Sequence, residues 1–248
     1  MSVIYILWLR QLKRYLRSRA RIISSLAQPL IYLLAMGYGL SPVFKQAGMG
    51  SYIQFVTPGL IGMTILFTSV FSGIDLLMDR QFGFLKETLV APVPRVWIIL
   101  GRILGSATVA VLQGTLFLAV CFLAGFRCHN VGAFPETFLF MAITAVLFTA
   151  LGSVIGSTLH DMQAFQLVVS FLILPLFLLS GAIFPLVNLP RPLAIVVCIN
   201  PLSYGVDGLR QSLIGVGHFG LMTDFAVLTV VAALLVVLGS YLFSKIQL

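Results

Sequence analysis

Six apolar runs, each long enough to cross a bilayer, decide what this chain can fold into. They lie at about Ile22–Leu40, Val56–Met78, Val96–Phe126, Phe138–Leu159, Ala164–Phe184 and Leu221–Phe243. A helix needs about 20 apolar residues to cross the hydrocarbon core, and inside lipid it satisfies its own backbone polar groups. Only 9% of the 248 residues are charged and 60% are hydrophobic, too little charge to cover a water-soluble surface. The expected fold class is therefore an all-α integral membrane protein with six transmembrane helices. No shift in composition divides it, so residues 1–248 read as a single transmembrane domain. The N-terminal stretch is too long and too aromatic for the charged start of a cleavable signal, and the first run continues past any cleavage point.

The net charge of +8 is unevenly placed. Arg10, Lys13, Arg14, Arg17, Arg19 and Arg21 all precede the first run. Take the N-terminus, the second–third loop, the fourth–fifth loop and the C-terminus as one side. That side carries 10 Lys and Arg, whereas the other carries 4: Lys45, Arg127, Arg191 and Arg210. The positive-inside rule then puts both termini in the cytoplasm, for a protein of the inner or plasma membrane. The basic run directly abuts a span, so anionic membrane lipids are its expected partner and nucleic acid is not.

Residues 1–21 hold an amphipathic pattern. At helical spacing Ile4, Leu7, Trp8, Leu12, Tyr15 and Leu16 share one side, and Arg10, Lys13, Arg14, Arg17 and Arg21 share the other. Such a helix lies in the headgroup plane. Residues 22–184 then hold five spans. Pro29 bends the first. Asp75 closes the second, either as an intramembrane carboxylate or as an end-of-helix residue reaching the cytoplasmic interface. Arg102 is expected at the cytoplasmic interface of a tilted third span. Gly152, Ser153, Gly156 and Ser157 let the fourth approach a neighbour closely.

Between the second and third spans lies Asp79–Arg95, DRQFGFLKETLVAPVPR, with five charges. A stretch this polar between two spans is expected in water. Phe82, Phe84, Leu85, Leu89 and Val90 make it amphipathic, and Pro92 and Pro94 stop it. It reads either as an ordinary loop or as a short helix on the membrane surface that docks another protein. The stretch 185–215 is dense in proline and apolar residues, with Leu193–Ile199 too short to span. Irregular chain at membrane depth needs protein or a wet cavity around it. It reads as external re-entrant helices capping the bundle before the sixth span, 221–243. Phe171, Phe177 and Phe184 offer either an aromatic wall for apolar cargo or simple packing.

Several chemistries are missing. No lysine follows glycine as a phosphate-binding P-loop requires, no His-Glu pair starts a zinc-protease helix, and no serine sits at nucleophile-elbow spacing. Cys121, Cys128 and Cys198 lack metal-ligand spacing, although Cys128 and Cys198 could pair in an oxidising compartment. No catalytic residue, metal site or cofactor is therefore expected on this chain.

Three motifs occur in order: G-x-x-x-E-x-L-x-x-P at Gly83, Glu87, Leu89 and Pro92; S-G-x-x-F-P at Ser180, Gly181, Phe184 and Pro185; and N-P-L-x-Y-x-x-D-x-L-R, with Asn200, Pro201, Tyr204, Asp207 and Arg210. With the span pattern they resemble the permease subunit of type-2 ATP-binding-cassette (ABC) exporters, the drug-resistance, nodulation-factor and polysaccharide export permeases. The resemblance implies two permeases, here a homodimer, working with two separate ABC ATPase subunits that hold the ATP and Mg. It implies that 79–95 is the cytoplasmic coupling helix docking on the ATPase, with Glu87 meeting basic or polar groups there and the N-terminal helix bracing the joint. The second and fifth spans would line a central path for an amphipathic or lipid-linked drug, lipid or glycan. The competing class is a membrane-embedded enzyme or assembly scaffold without a transport path. The absence of a catalytic constellation beside an amphipathic cytoplasmic loop favours the exporter.

Overall fold

One long helix, Tyr52–Gln81, forms the axis around which the other elements pack. The structure is a computed structural model describing residues 3–46, 51–84, 93–186 and 190–245. Its helices are α1 (Val3–Arg17), α2 (Arg19–Gly39), α3 (Ser41–Gln46), α4 (Tyr52–Gln81), α5 (Arg95–Leu123), α6 (Phe134–Thr158), α7 (Met162–Leu178), α8 (Arg191–Ile199), α9 (Pro201–Ile214) and α10 (Leu221–Ser244). There is no strand among the described residues. Helices α2, α4, α5, α6 and α10 are long and apolar enough to cross a membrane, and the bent pair α8–α9 would be a sixth if taken as one span. The chain is a multi-pass helical membrane protein.

Close backbone contact holds α4 against α6. A Cβ placed on Gly73 would stand 2.3 Å from the Gly152 carbonyl oxygen. Between helices already in lipid there is little hydrophobic drive, so small residues that let backbones touch supply the packing energy. The fourth-span glycines were expected to serve this purpose, and they do. Helix α10 packs on the other side of α6, α1 lies along α5, and α9 wedges between α4, α6 and α10. The two chain ends share one end of the bundle: Arg95 Nη1 donates to the Ser244 carbonyl at 2.6 Å, and Ile4 of α1 packs against Gly101 of α5.

The opposite end is closed by α8 and α9, which meet at 83°. The expected short helices within 185–215 are thus present. Helix α9 is buried along most of its length, from Leu202 to Leu213, whereas α8 leaves Ile195 and Ile199 exposed.

Two expected boundaries need correction. The fifth span was expected to run to Phe184, but α7 ends at Leu178 after 17 residues. The Ser180 hydroxyl donates to the Phe177 carbonyl at 2.7 Å and accepts from the Ala182 amide at 3.3 Å, and Gly181 takes φ +72°. A left-handed residue ends a helix, and glycine adopts it without steric cost. The chain goes on as a buried turn, Ser180–Ile183, seated on α4 where Gly59 leaves room: a Cβ there would lie 2.6 Å from the Ala182 Cα. Likewise Asp79 does not lie in a watery loop. It belongs to the last turn of α4 and is 5% exposed, because Arg10 and Arg102 neutralise it there.

Candidate functional site

At the end that holds the termini, the basic face of α1 is turned onto acidic groups of α4. Arg10 Nη2 lies 3.0 Å from Asp79 Oδ1, Arg102 Nη1 of α5 lies 2.5 Å from Asp79 Oδ2, and Arg14 Nη2 lies 3.2 Å from Asp75 Oδ1. Arg102 and Asp79 are both buried. A buried carboxylate is tolerated where ionic and hydrogen-bonding partners replace water, and Asp79 has two. Asp75, with Arg14 beside it, is 6% exposed, so it is a buried partner and not a side chain reaching for the interface. Arg102, expected at the interface, is buried for the same reason.

Part of the apolar side of α1 is covered by protein. Leu7, Gln11 and Tyr15 are buried, and Gly101 and Gly105 of α5 receive Ile4, Leu7, Trp8 and Gln11. Trp8 Nε1 donates to Thr108 Oγ1 at 3.0 Å, and the Tyr15 hydroxyl donates to Gln113 Oε1. Burial pushes the Tyr15 phenol above its ordinary value. Arg17 and Leu16 remain exposed. The amphipathic pattern identified the helix, but its packed side includes the polar Gln11, which hydropathy assigns to water.

Gly83 stands just beyond α4 with φ +80°, the left-handed conformation that closes a helix C-terminus. The Arg10 guanidinium lies 5.2 Å from the centre of the Phe84 ring. One α1 arginine therefore touches both the last turn of α4 and the start of the loop beyond it. Glu87, Leu89 and Pro92, the other expected coupling residues, lie outside the described residues.

Next to this cluster is a cavity of about 400 Å³ between α1, α2, α4 and α5. Gln11, Tyr15, Gln28 and Asp75 give it a polar side, and the stacked rings of Phe67 and Phe71, with centroids 6.1 Å apart, give it an apolar one. Such a lining suits an amphipathic molecule. The three phenylalanines singled out from the sequence do not form one wall. Phe171 and Phe184 are exposed on the surface, while Phe177 is buried edge-on against Tyr32.

At the far end, the second and third motifs interlock. Asn200 caps α9 by accepting from the Leu202 amide at 3.0 Å, and its Nδ2 donates to the Leu176 carbonyl at 2.7 Å. The Ser203 hydroxyl reaches the Leu179 carbonyl at 3.4 Å. The last carbonyls of α7, which no helix continues to use, thus receive donors from the start of α9. Pro201 occupies the first turn of α9, where a missing N–H costs nothing. The Tyr204 hydroxyl donates to the Cys198 carbonyl at 2.7 Å and fixes the bend to α8. Arg210 Nη2 donates to the Gly181 carbonyl, and its guanidinium stacks over Phe55. Asp207 accepts from the backbone amides of His218 and Phe219, holding the turn that leads into α10. Ser180 and Gly181 are buried in this joint, Pro185 is half-buried, and Phe184 faces outward. A second cavity, of about 300 Å³, is lined by Gln54, Pro185, Asp207, Arg210 and His218. Cys128 and Cys198, considered as a pair, are both free thiols.

Sequence reasoning missed Asp224, a carboxylate in the first turn of α10 with no exposure. The signal was available: an ionisable residue inside an apolar run is a functional candidate by default. It also missed Gln11 and Gln113, whose polarity carries no pattern until α1 is laid on α5.

The chain resembles known permeases over nearly its whole length. It is 28% identical over 230 residues to the inner membrane transport permease YadH of Escherichia coli strain K12, covering 90% of this chain and 88% of YadH. It is 29% identical over 218 residues to Nodulation protein J of Rhizobium meliloti strain 1021, covering 84% of this chain and 82% of that protein. To the ycf38 transport permease of Pyropia yezoensis it is 31% identical over 201 residues, covering 78% of this chain and 68% of the relative. The family model for the ABC-2 type transporter matches residues 2–214, so this chain belongs to the ABC-2 type transporter family.

Proposed function

We infer that this protein is the permease half of an ATP-driven exporter of the inner membrane, moving an amphipathic or lipid-linked molecule out of the cytoplasm. ATP and Mg are bound by a separate ATPase subunit, two copies of which serve two copies of this chain. Both termini face the cytoplasm. The observation that carries the reading is the bond set of Arg10. It ties α1 to Asp79 on the last turn of α4 and to Phe84 at the head of the coupling stretch. A push on that stretch then moves α1 and α4 together. Helix α4 runs 30 residues, about 45 Å at 1.5 Å per residue, so the movement reaches the far end as a rigid-body shift. The amphipathic cavity opens beside the same helices, where a lipid-like cargo meets them.

The test is transport by the reconstituted complex. Permease purified with its ATPase and placed in nanodiscs should hydrolyse ATP faster when its cargo is present, and a panel of lipids, lipid-linked glycans and apolar drugs identifies which cargo. In inverted vesicles the same compound should accumulate only with ATP. No ATP-dependent movement of any compound, with an intact complex, would favour a scaffold.

A further inference from the structure

We propose that the cavity of about 300 Å³ at the end of the molecule opposite the termini is an oxyanion site, where Arg210 and the N-terminus of α4 hold one singly charged phosphodiester group. The site goes beyond the transport reading and does not depend on which cargo is carried.

Two separate sources of positive charge meet in this cavity. The first is Arg210, which lines it and is only 6% exposed. Its Nη2 donates to the Gly181 carbonyl, and the face of its guanidinium stacks over Phe55. Its Nε is buried without an acceptor, and no carboxylate forms a salt bridge with it among the described residues. A buried charge is costly unless it is paired, and a carbonyl and a ring supply no counter-charge. The second source is the start of α4. Ser51, Gln54 and Phe55, at its first turn, line the same cavity. The Ser51 side chain does not cap the helix, and the amides of Tyr52 and Ile53 have no acceptor among the described residues. The first amides of a helix and its aligned peptide dipoles favour an anion at this end. The guanidinium adds a planar fork of donors that suits phosphate oxygens.

The remaining groups limit the charge of the ligand. Asp207 also lines the cavity, but it is 1% exposed and its oxygens accept from the His218 amide at 2.9 and 2.7 Å and from the Phe219 amide at 2.8 Å. Held by those amides, it forms no salt bridge with Arg210, yet its charge opposes a dianion. The Gln54 amide pairs with the Arg127 backbone. The His218 side chain is exposed and set edge-on against Phe219. A singly charged phosphodiester therefore fits better than a doubly charged phosphate.

The depth of the site brings such groups to it. Helix α4 runs 30 residues, about 45 Å, which matches a bilayer of about 40–45 Å with its headgroups included. Its N-terminus then stands at headgroup level, where lipid phosphodiesters are concentrated. A lipid headgroup is one source of the anion, and a soluble phosphodiester is the other.

Thermal unfolding of the purified full-length chain in maltoside detergent, at constant ionic strength, tests the site. Three probes are added separately: dimethyl phosphate, phosphatidylglycerol and uncharged diacylglycerol. The wild-type melting temperature should rise with phosphatidylglycerol, with dimethyl phosphate or with both, and not with diacylglycerol. A rise with the lipid alone would mean that acyl chains help to hold the headgroup, and a rise with dimethyl phosphate would mean that the free anion suffices. Arg210→Gln should weaken apparent binding by about tenfold or more, through loss of a charge-assisted contact. Arg210 also holds the fold, so Ser51→Asp is the second variant. Aspartate caps a helix as well as serine does, so without any probe this variant should melt no lower than wild type. Its carboxylate would occupy the site and abolish the rise. No rise with either anion, or an equal rise with diacylglycerol, would overturn the proposal. So would a rise of full size in Ser51→Asp, which would place the anion elsewhere, such as on the basic face of α1. Failure of Ser51→Asp to fold would also overturn it, because the site as described has room and positive potential for a carboxylate.

Discussion

Arg210 donates through Nη2 to the Gly181 carbonyl at 2.7 Å, across 29 residues of chain, and so joins the turn after α7 to the buried helix α9. Its guanidinium also lies 4.3 Å from the centre of the Phe55 ring on α4. One side chain therefore holds three elements at the end of the bundle. Gly181 exposes its carbonyl in this direction because its φ of +72° breaks the helical path. Arg210→Met should lose the charged hydrogen bond and the ring contact, for about 2–3 kcal/mol of destabilisation. Arg210→Lys should recover less than half, since an ammonium cannot both stack and donate in the guanidinium geometry. Melting temperatures of the purified variants measure both losses.

The Asp79 cluster makes a separate prediction. Arg102→Met leaves a buried carboxylate with Arg10 alone, and breaking one side of a buried pair costs about 3–5 kcal/mol. Asp79→Asn combined with Arg102→Met should be milder than Arg102→Met alone, because no uncompensated carboxylate remains. A double-mutant cycle on membrane abundance and unfolding checks the coupling. Additive effects would mean the two side chains do not share a bond.

Gly73 faces the Gly152 carbonyl with no room for a side chain. Gly73→Ala should push α4 from α6 and cost about 1–3 kcal/mol through overpacking of two rigid backbones. Gly83, which has open space around its Cβ position, offers the contrast. Gly83→Ala should be limited to the backbone strain of its left-handed φ, about 1 kcal/mol. Parallel denaturation of the two variants separates packing from conformation.

Topology can be read chemically. A single cysteine at Gln81, exposed at the end of α4, should resist an impermeant thiol reagent added outside intact cells, in a background lacking Cys121, Cys128 and Cys198. It should label once the membrane is opened. Labelling from outside would invert the orientation.

The long helices were legible because span length is a one-dimensional property: 20-odd apolar residues leave the chain no other structure in lipid. The N-terminal helix was legible from its period. What was not legible depends on residues far apart in sequence. Asp79 and Arg102 read as a loop charge and an interface charge until α4 and α5 lie side by side, when each removes the other's reason to seek water. The early end of α7 follows from Ser180 and Gly181, whose turn is stable only because Gly59 of α4 makes space beneath it. The motif at Asn200–Arg210 drew attention to this region by its residue pattern, but that its polar side chains hold helix ends and turns together depends on carbonyls far away in sequence.

The central claim is that force enters this chain through the stretch that begins where Arg10 meets Asp79 and Phe84. Capture of the tagged permease from native membranes, with the bound ATPase quantified against permease abundance, tests it most directly. Glu87 and Leu89 belong to that stretch in sequence, and substitution of a docking residue in a polar loop should alter permease stability by only about 0.5 kcal/mol. Loss of a charge-assisted docking bond in Glu87→Ala should weaken association by about 2 kcal/mol or more. Leu89→Asp, which removes an apolar anchor and adds a charge, should be worse. The account predicts that a P-loop ATPase co-purifies with wild type, is depleted in Glu87→Ala and is lost in Leu89→Asp, with permease levels unchanged. An ATPase retained equally by all three proteins, or bound by none, would contradict it.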